Sequence, residues 1–245
     1  MSDIIFGKNP LIEAAENGVE IEKVFMLNTL RGETEVYFRQ YCKNRNIPLA
    51  KVPEVKLNEL ARNKSHQGLV AIISPIRYFE IEDVLAQIYE KGETPLIIVA
   101  DSVSDVRNIG SLARSAHFFG AHAVVMTGNA SGRINEEAVK ASAGALLKIP
   151  VCRYASIFNL VSTLQSHGIL VYAAAITKIS RPPDETDFTL PAAVLLGAED
   201  KGLNPKLFDL TDGVVHIPAS ADFDSLNVSV AGAVLMYEAQ RQRKS

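Results

Sequence analysis

Residues 96–101 read LIIVAD, a continuous apolar run that closes on an aspartate. A strand that is apolar on both faces must be covered on both faces, as buried parallel strands are. The runs AHAVVMT (121–127), ILVYAAA (169–175), AAVLLG (192–197) and GVVHIP (213–218) repeat the theme. Between them lie helical patterns at 108–119, 136–147, 157–166 and 225–243. Strand and helix alternate, so residues 95–245 should form an α/β domain with a parallel sheet covered by helices.

Residues 1–75 carry shorter elements. Helical pieces are expected at 11–17, 33–44 and 55–62, and strands at 21–27, 48–52 and 69–73. This reads as a small N-terminal α/β domain closed by Ser74-Pro75. Residues 76–94, a connecting helix at 81–89 and a KGETP loop at 91–95, read as a linker. No internal repeat or low-complexity segment occurs.

Composition removes several classes. Apolar residues make up 47% and charged residues 22% of the 245 positions, which argues against disorder, collagen and coiled coil. No apolar run reaches about 18 residues, so no membrane span is expected. MSDIIFGKNP lacks the basic and apolar regions of a secretory signal, and a cytoplasmic location is expected. Cys42 and Cys152 are far apart and form no CxxC, which suggests a reducing compartment. The histidines (His66, His117, His122, His167, His216) are scattered, so no metal site is expected.

Charge is uneven beneath a net −3. Residues 29–64 hold eight basic and four acidic side chains, a local +4. Residues 197–230 hold six acids and two lysines, a local −4. Two solvated faces would account for this. So would a polyanion-contacting N-terminal part and a pocket elsewhere for a cationic ligand.

Three segments stand at strand ends, where open α/β sheets bind ligands. In DSVSDVRNIGSLARSA (101–116), Asn108 can cap a helix, Gly110 can let backbone approach a ligand, and Arg114 can reach back over the strand end. In LLGAEDKGL (195–203), Gly197 ends a strand and Glu199 follows in a glycine-flanked loop. In the third, 216–243, Ser225-Leu226-Asn227 opens a helix with Ser225 as the expected cap. The small residues Ser229, Ala231, Gly232 and Ala233 follow. Neither a Walker A loop nor a GxGxxG fingerprint occurs.

Together and in this order the three segments resemble the SpoU/TrmH family of RNA ribose 2′-O-methyltransferases, of the SPOUT class. Asn108-Ile109-Gly110-Ser111-Leu112-Ala113-Arg114 is similar to its N-x-G-x-x-x-R motif. Residues 196–203 match L-G-x-E-x-x-G-L, and Ile217-Pro218 with residues 225–231 match I-P-…-S-L-N-V-S-V-A. The stretch 141–145 also fits. Phe6-Gly7-Lys8-Asn9-Pro10-Leu11 and His66-Gln67-Gly68 resemble the L30e-like substrate-binding domain of the 23S rRNA guanosine-2′-O-methyltransferase branch.

The resemblance implies a trefoil-knot domain at 95–245, an RNA-binding domain at 1–75, a homodimer, and S-adenosylmethionine as methyl donor without a metal. It implies donor contacts at Gly197, Ile217 and Leu226, and catalytic or RNA-facing roles for Asn108, Arg114, Glu199, Ser225 and Asn227. Arg114 would act as base or would clamp the phosphate and stabilise the alkoxide. Asp200, Ala219 and Ala221 stand where the family has Gly, Met and Gly, which bears on donor affinity. Two other readings stay open: a tRNA 2′-O-methyltransferase, and an RNA-binding protein of the same fold with weakened or lost donor binding. The tRNA branch usually lacks an L30e-like domain.

Overall fold

A computed structural model of the chain describes residues 4–45, 47–128, 133–220 and 225–244. They fall into two units, Met1–Arg77 and Tyr78–Ser245.

In the first unit the sheet contains β1 (Ile4–Phe6), β2 (Ile21–Leu27), β3 (Leu49–Val52) and β4 (Leu69–Ile73), in the order β1-β4-β2-β3. β4 runs antiparallel to β1 and β2, and β3 parallel to β2. The two-residue period of a strand divides the side chains between two faces. Val24, Met26, Leu69 and Ala71 pack with Leu11, Phe38 and Cys42 from α1 (Lys8–Glu16) and α2 (Glu33–Asn44). Val70 joins Leu57 and Ala61, with Phe25 and Leu27 against them, on the side of α3 (Glu54–Leu60). Part of the local positive charge is consumed internally. The buried Glu35 carboxylate accepts from Lys51 Nζ at 2.9 Å and pairs with Arg39. The Lys51 hydrogen bond holds it below the usual carboxylate range, with Arg39 adding to this and burial opposing it.

The second unit begins with α4 (Ile81–Glu90), whose Ile81, Val84, Leu85 and Ile88 sit in the core with Ile97, Val99 and Leu160. The expected linker 76–94 is therefore in large part a core element of this unit. Its strands are β5 (Leu96–Asp101), β6 (Ala123–Thr127), β7 (Val151–Tyr154), β8 (Leu170–Ala174), β9 (Ala192–Leu196) and β10 (Gly213–Val215). They form a wholly parallel sheet in the order β10-β8-β9-β5-β6-β7. From β5 the chain builds outward through β6 and β7. It then crosses to the other side, where β9 lies between β8 and β5. The helices are α5 (Val106–Phe118), α6 (Glu136–Ala141), α7 (Ile157–Ser166) and α8 (Val228–Arg243).

Several expected boundaries move, each for a local reason. The helix expected at 136–147 stops at Ala141. Ala143 and Gly144 adopt positive φ, and a 3₁₀ turn (Ala145–Leu147) follows. Asn108 does not cap α5: Asp105 does, accepting from Arg107 N at 2.9 Å. Gly110 is turned toward α6. A Cβ there would lie 2.5 Å from Ala138 O, so this glycine lets α5 press against the backbone of α6. Ser225 does not cap α8 either; Asn227 does.

Cys42 and Cys152 are free and buried, and burial pushes their thiols up to about 11 and about 12. They serve as packing groups. At the far end of α8 the Arg243 guanidinium donates to the carbonyls of Phe188 (2.7 Å), Thr94 (2.7 Å), Pro95 (2.8 Å) and Leu190 (2.9 Å). Among the described residues, no helix is long and apolar enough to cross a membrane.

Candidate active site

Where β8, β9 and β10 end, the chain opens a cavity of about 720 Å³. Ala174 and Ala175 come from the end of β8, Leu196 through Glu199 from the end of β9, and Val215 through Ser220 from the segment after β10. Ser225, Leu226, Val228, Ala231 and Leu235 supply the start of α8. This is the sheet end at which parallel α/β folds hold ligands. Gly197, Ile217 and Leu226, the three expected donor contacts, all line it. So do Glu199 and Ser225.

Gly197 is there for a steric reason. The loop after β9 turns back on itself, Gly202 N donating to Ala198 O at 2.7 Å. A Cβ on Gly197 would lie 2.3 Å from the carbonyl carbon of Gly202. Only a residue without a side chain lets this loop close. Asp200, within the turn, is not at positive φ, so a side chain there carries no backbone penalty. Ala219 lines the cavity, and Ala221 lies outside the described residues.

Beside the cavity three segments distant in sequence are tied together. Asn108 Nδ2 donates to Glu199 Oε1. Asn227 Nδ2 donates to Asn108 Oδ1 at 3.1 Å and to Glu199 Oε1 at 3.4 Å. Asn227 Oδ1 accepts from Ser229 N at 2.9 Å and from Ser229 Oγ at 2.7 Å. The cap thus fixes which way the Asn227 amide faces, and that amide in turn fixes Asn108. One carboxylate holds two oriented amides at the start of α5 and of α8. Such an array can position a polar ligand that enters between the two helices.

Arg114 does not join this cluster. Asn108 and Arg114 are six positions apart on α5, about one-third of a turn away in azimuth at 3.6 residues per turn. Arg114 is exposed and forms no hydrogen bond or ion pair among the described residues. On the outer surface of the same unit, Phe118 of α5 and Val230, Val234 and Tyr237 of α8 are exposed. Phe119 and Tyr237 make an edge contact with centroids 6.1 Å apart. The opposite side of α8 is buried through Gly232, Leu235 and Met236, with Gly232 pressed against Leu112 and Leu196. Gly232 of α8 therefore serves packing within the chain, and a different face of the helix stays apolar and open.

His216 was absent from the expected site residues. It lines the cavity, and its Nδ1 is buried with no hydrogen-bond partner. Its place after a parallel strand was the available signal. Among the described residues, no group of three or more His, Cys, Asp or Glu side chains is arranged to hold a metal.

The model of the SpoU rRNA Methylase family matches residues 95–237, and that of RNA 2′-O ribose methyltransferase substrate binding matches residues 4–79. YacO of Bacillus subtilis, assigned to the TrmH family of tRNA/rRNA methyltransferases, is 31% identical over 98% of this chain and 96% of its own. Among solved structures, the SpoU methyltransferase AviRb from Streptomyces viridochromogenes, in complex with AdoMet, is similar with a TM-score of 0.63. It is 23% identical, with 98% of this chain and 90% of that one covered. An AdoMet-bound rRNA methyltransferase from Sinorhizobium meliloti is similar with a TM-score of 0.62 at 24% identity, covering 97% of this chain and 86% of that one. With its sheet order, its three strand-end motifs and these matches, the chain belongs to the SpoU rRNA methylase family.

Proposed function

We propose that this protein transfers a methyl group from S-adenosylmethionine to a ribose 2′-hydroxyl of structured RNA, with a guanosine of 23S rRNA as the first substrate to test. The observation that carries this reading is the convergence of the second and third motif segments on one cavity, with the first segment tied in beside it through the Asn108–Glu199–Asn227 cluster. The cavity suits the donor: its volume falls in the range of small-molecule sites, and its walls are largely apolar with a few polar groups. When bound, the donor supplies an electrophilic methyl group on a sulfonium. Gly197, Ile217 and Leu226 would hold it, largely through backbone groups.

Asn108, Ser225 and Asn227 would orient the ribose and the RNA backbone, and Glu199 would keep the two amides in place. Arg114 would clamp the phosphate next to the reacting ribose and stabilise the developing alkoxide. We place this reaction in a cytoplasmic homodimer whose contact is the open apolar face of α8 with Phe118. Arg114 shares a helix with Phe118 and stands apart from its own cavity, as it would in a site completed by the second subunit. The sheet order and the tight Gly197–Gly202 loop support a trefoil knot in residues 95–245. The N-terminal unit, residues 1–75, would capture RNA.

The test is transfer of labelled methyl from S-adenosylmethionine to 23S rRNA and to tRNA, followed by nucleoside analysis. A labelled 2′-O-methylguanosine from rRNA supports the reading. Label on a base, or none on either RNA, overturns it. Label on tRNA alone keeps the chemistry and replaces the substrate.

A further inference from the structure

We infer that Tyr37, Tyr41 and Arg45 form a surface along α2 on which unpaired bases of RNA stack. This rests on the reading of the N-terminal unit as the part that captures RNA. The three residues follow one another at four-residue intervals, so they run along one flank of the helix and its cap. The rings of Tyr37 and Tyr41 are nearly parallel, their planes 12° apart and their centroids 6.3 Å apart. The Arg45 guanidinium sits over the Tyr41 ring, 5.1 Å from its centroid. Tyr37 is 39% exposed, and Arg45 is exposed at the other end of the row.

The core does not call for this row. Phe38 and Cys42 anchor α2 in the unit, with Tyr41 only partly buried against them and Tyr37 outside the cluster. Charge selects the partner. Residues 37–45 hold Arg39, Lys43 and Arg45 and no acid. Glu35 occupies Arg39, whereas Lys43 and Arg45 are exposed. Flat rings beside exposed cations suit a single strand of RNA. Its bases stack on aromatic rings and on guanidinium planes, and its phosphates follow the positive charge. A paired helix keeps its bases stacked on one another and offers the rings no such face.

The experiment uses the full chain and two probes: an oligoadenylate of about twelve nucleotides, and the same strand paired with oligouridylate. Tyr37→Ala should weaken single-strand binding by about ten-fold, as for one lost stacking contact, and Tyr37→Phe should stay within about two-fold of wild type. Neither should change the salt slope, because the ring carries no charge, whereas Arg45→Ala should lower it by about 0.7. Duplex affinity should not respond to Tyr37→Ala. In wild-type protein with ¹³C-labelled tyrosine, the Tyr37 ring resonances should move upfield on saturation with the single strand, since a stacked base shields them. Single-strand affinity of Tyr37→Ala within about two-fold of wild type, with unmoved Tyr37 resonances, overturns this inference alone. Equal weakening toward the duplex overturns it too. So does a Tyr37→Ala protein that binds RNA normally but sediments differently, which assigns the face to a second copy of the chain. Wild type that binds neither probe overturns the capture reading as well. Should Tyr37→Ala fail to fold, the wild-type resonances and the Arg45→Ala slope still decide.

Discussion

Asn108 and Glu199 lie 91 positions apart in sequence, and the amide of the first donates to the carboxylate of the second. That bond joins the first turn of α5 to the loop after β9, and Asn227 closes the triangle from α8. Removing the carboxylate leaves two oriented amides without their shared acceptor. Glu199→Ala should therefore lower methyl transfer by about 10²-fold, in the range of losing an aligned positioning group. Its melting temperature should hardly change, because the side chain is exposed. Glu199→Gln keeps an acceptor and should lie between the two. Single-turnover rates set beside thermal melts check this.

Arg114 carries a different expectation. Arg114→Ala should cut turnover by about 10²-fold or more while leaving donor affinity unchanged, and lysine should not restore the rate if a planar fork is needed. If the site is shared between subunits, mixing Arg114→Ala with Glu199→Ala protein should recover activity that neither has alone. Sedimentation should give roughly twice the 26.7 kDa chain mass. A monomer with full activity would refute the shared site.

Two glycines should respond to alanine in different ways. Gly110→Ala forces a Cβ to within 2.5 Å of a backbone oxygen of α6, and should destabilise the second unit by about 1–3 kcal/mol. Gly197→Ala collides with the backbone of Gly202 in the cavity wall, and should additionally weaken ligand binding. Thermal unfolding with and without S-adenosylhomocysteine separates the two effects: the ligand-induced rise in melting temperature should persist in Gly110→Ala and shrink in Gly197→Ala.

Stability should depend on pH through His122. Its Nδ1 accepts from Leu96 N at 3.0 Å, and its Nε2 lies 3.4 Å from Glu93 Oε2. Burial lowers its pKa from the ordinary 6.5; Glu93 opposes this and Arg243 adds to it. The unfolded chain therefore binds more protons here below about pH 6.5. The contribution is fully present above that value and is lost as pH falls toward the folded pKa. His122→Asn can accept the Leu96 N–H without titrating. Its melting temperature should fall less than that of the wild type between about pH 7.5 and 5.5. Parallel curves would rule the residue out.

The salt dependence of RNA binding tests the N-terminal unit. Glu35 already occupies Lys51 and Arg39, so those two should contribute little. Arg62 and Lys64 are exposed on the segment between α3 and β4, and Arg62→Ala with Lys64→Ala should reduce the slope of log affinity against log salt by roughly one per lost phosphate contact. An unchanged slope would place the RNA elsewhere.

Much of this architecture is legible in the sequence because parallel strands buried on both faces have to be apolar throughout. LIIVAD and AAVLL announce themselves, and the three motifs lie where such strands end. Two edge strands that no turn signal or apolar run marks escape notice. Ile4–Phe6 and Val151–Tyr154 have three and four residues, too few to display a period. Helix caps are not legible, because Asp105 and Asn227 compete with equally good capping types nearby, and tertiary bonds decide between them. Asn227 caps α8 while its Nδ2 reaches Asn108 and Glu199, a pairing that no local pattern encodes. A lone histidine such as His216 carries no motif; only the folded chain brings it to the cavity.

The Arg243 guanidinium binds the carbonyls of Thr94 and Pro95, 149 and 148 positions earlier, just before the central strand β5 begins. On a ribosome this has a consequence for timing. The N-terminal unit has its own core and can be finished while synthesis continues. In the second unit β5 must wait for β9, its neighbour in the sheet, and then for Arg243. Its final consolidation thus waits until Arg243 has left the ribosome, governed by long-range closure rather than by local propensity. Arg243→Ala should slow the maturation of this unit in translation extracts far more than the small number of atoms removed would suggest.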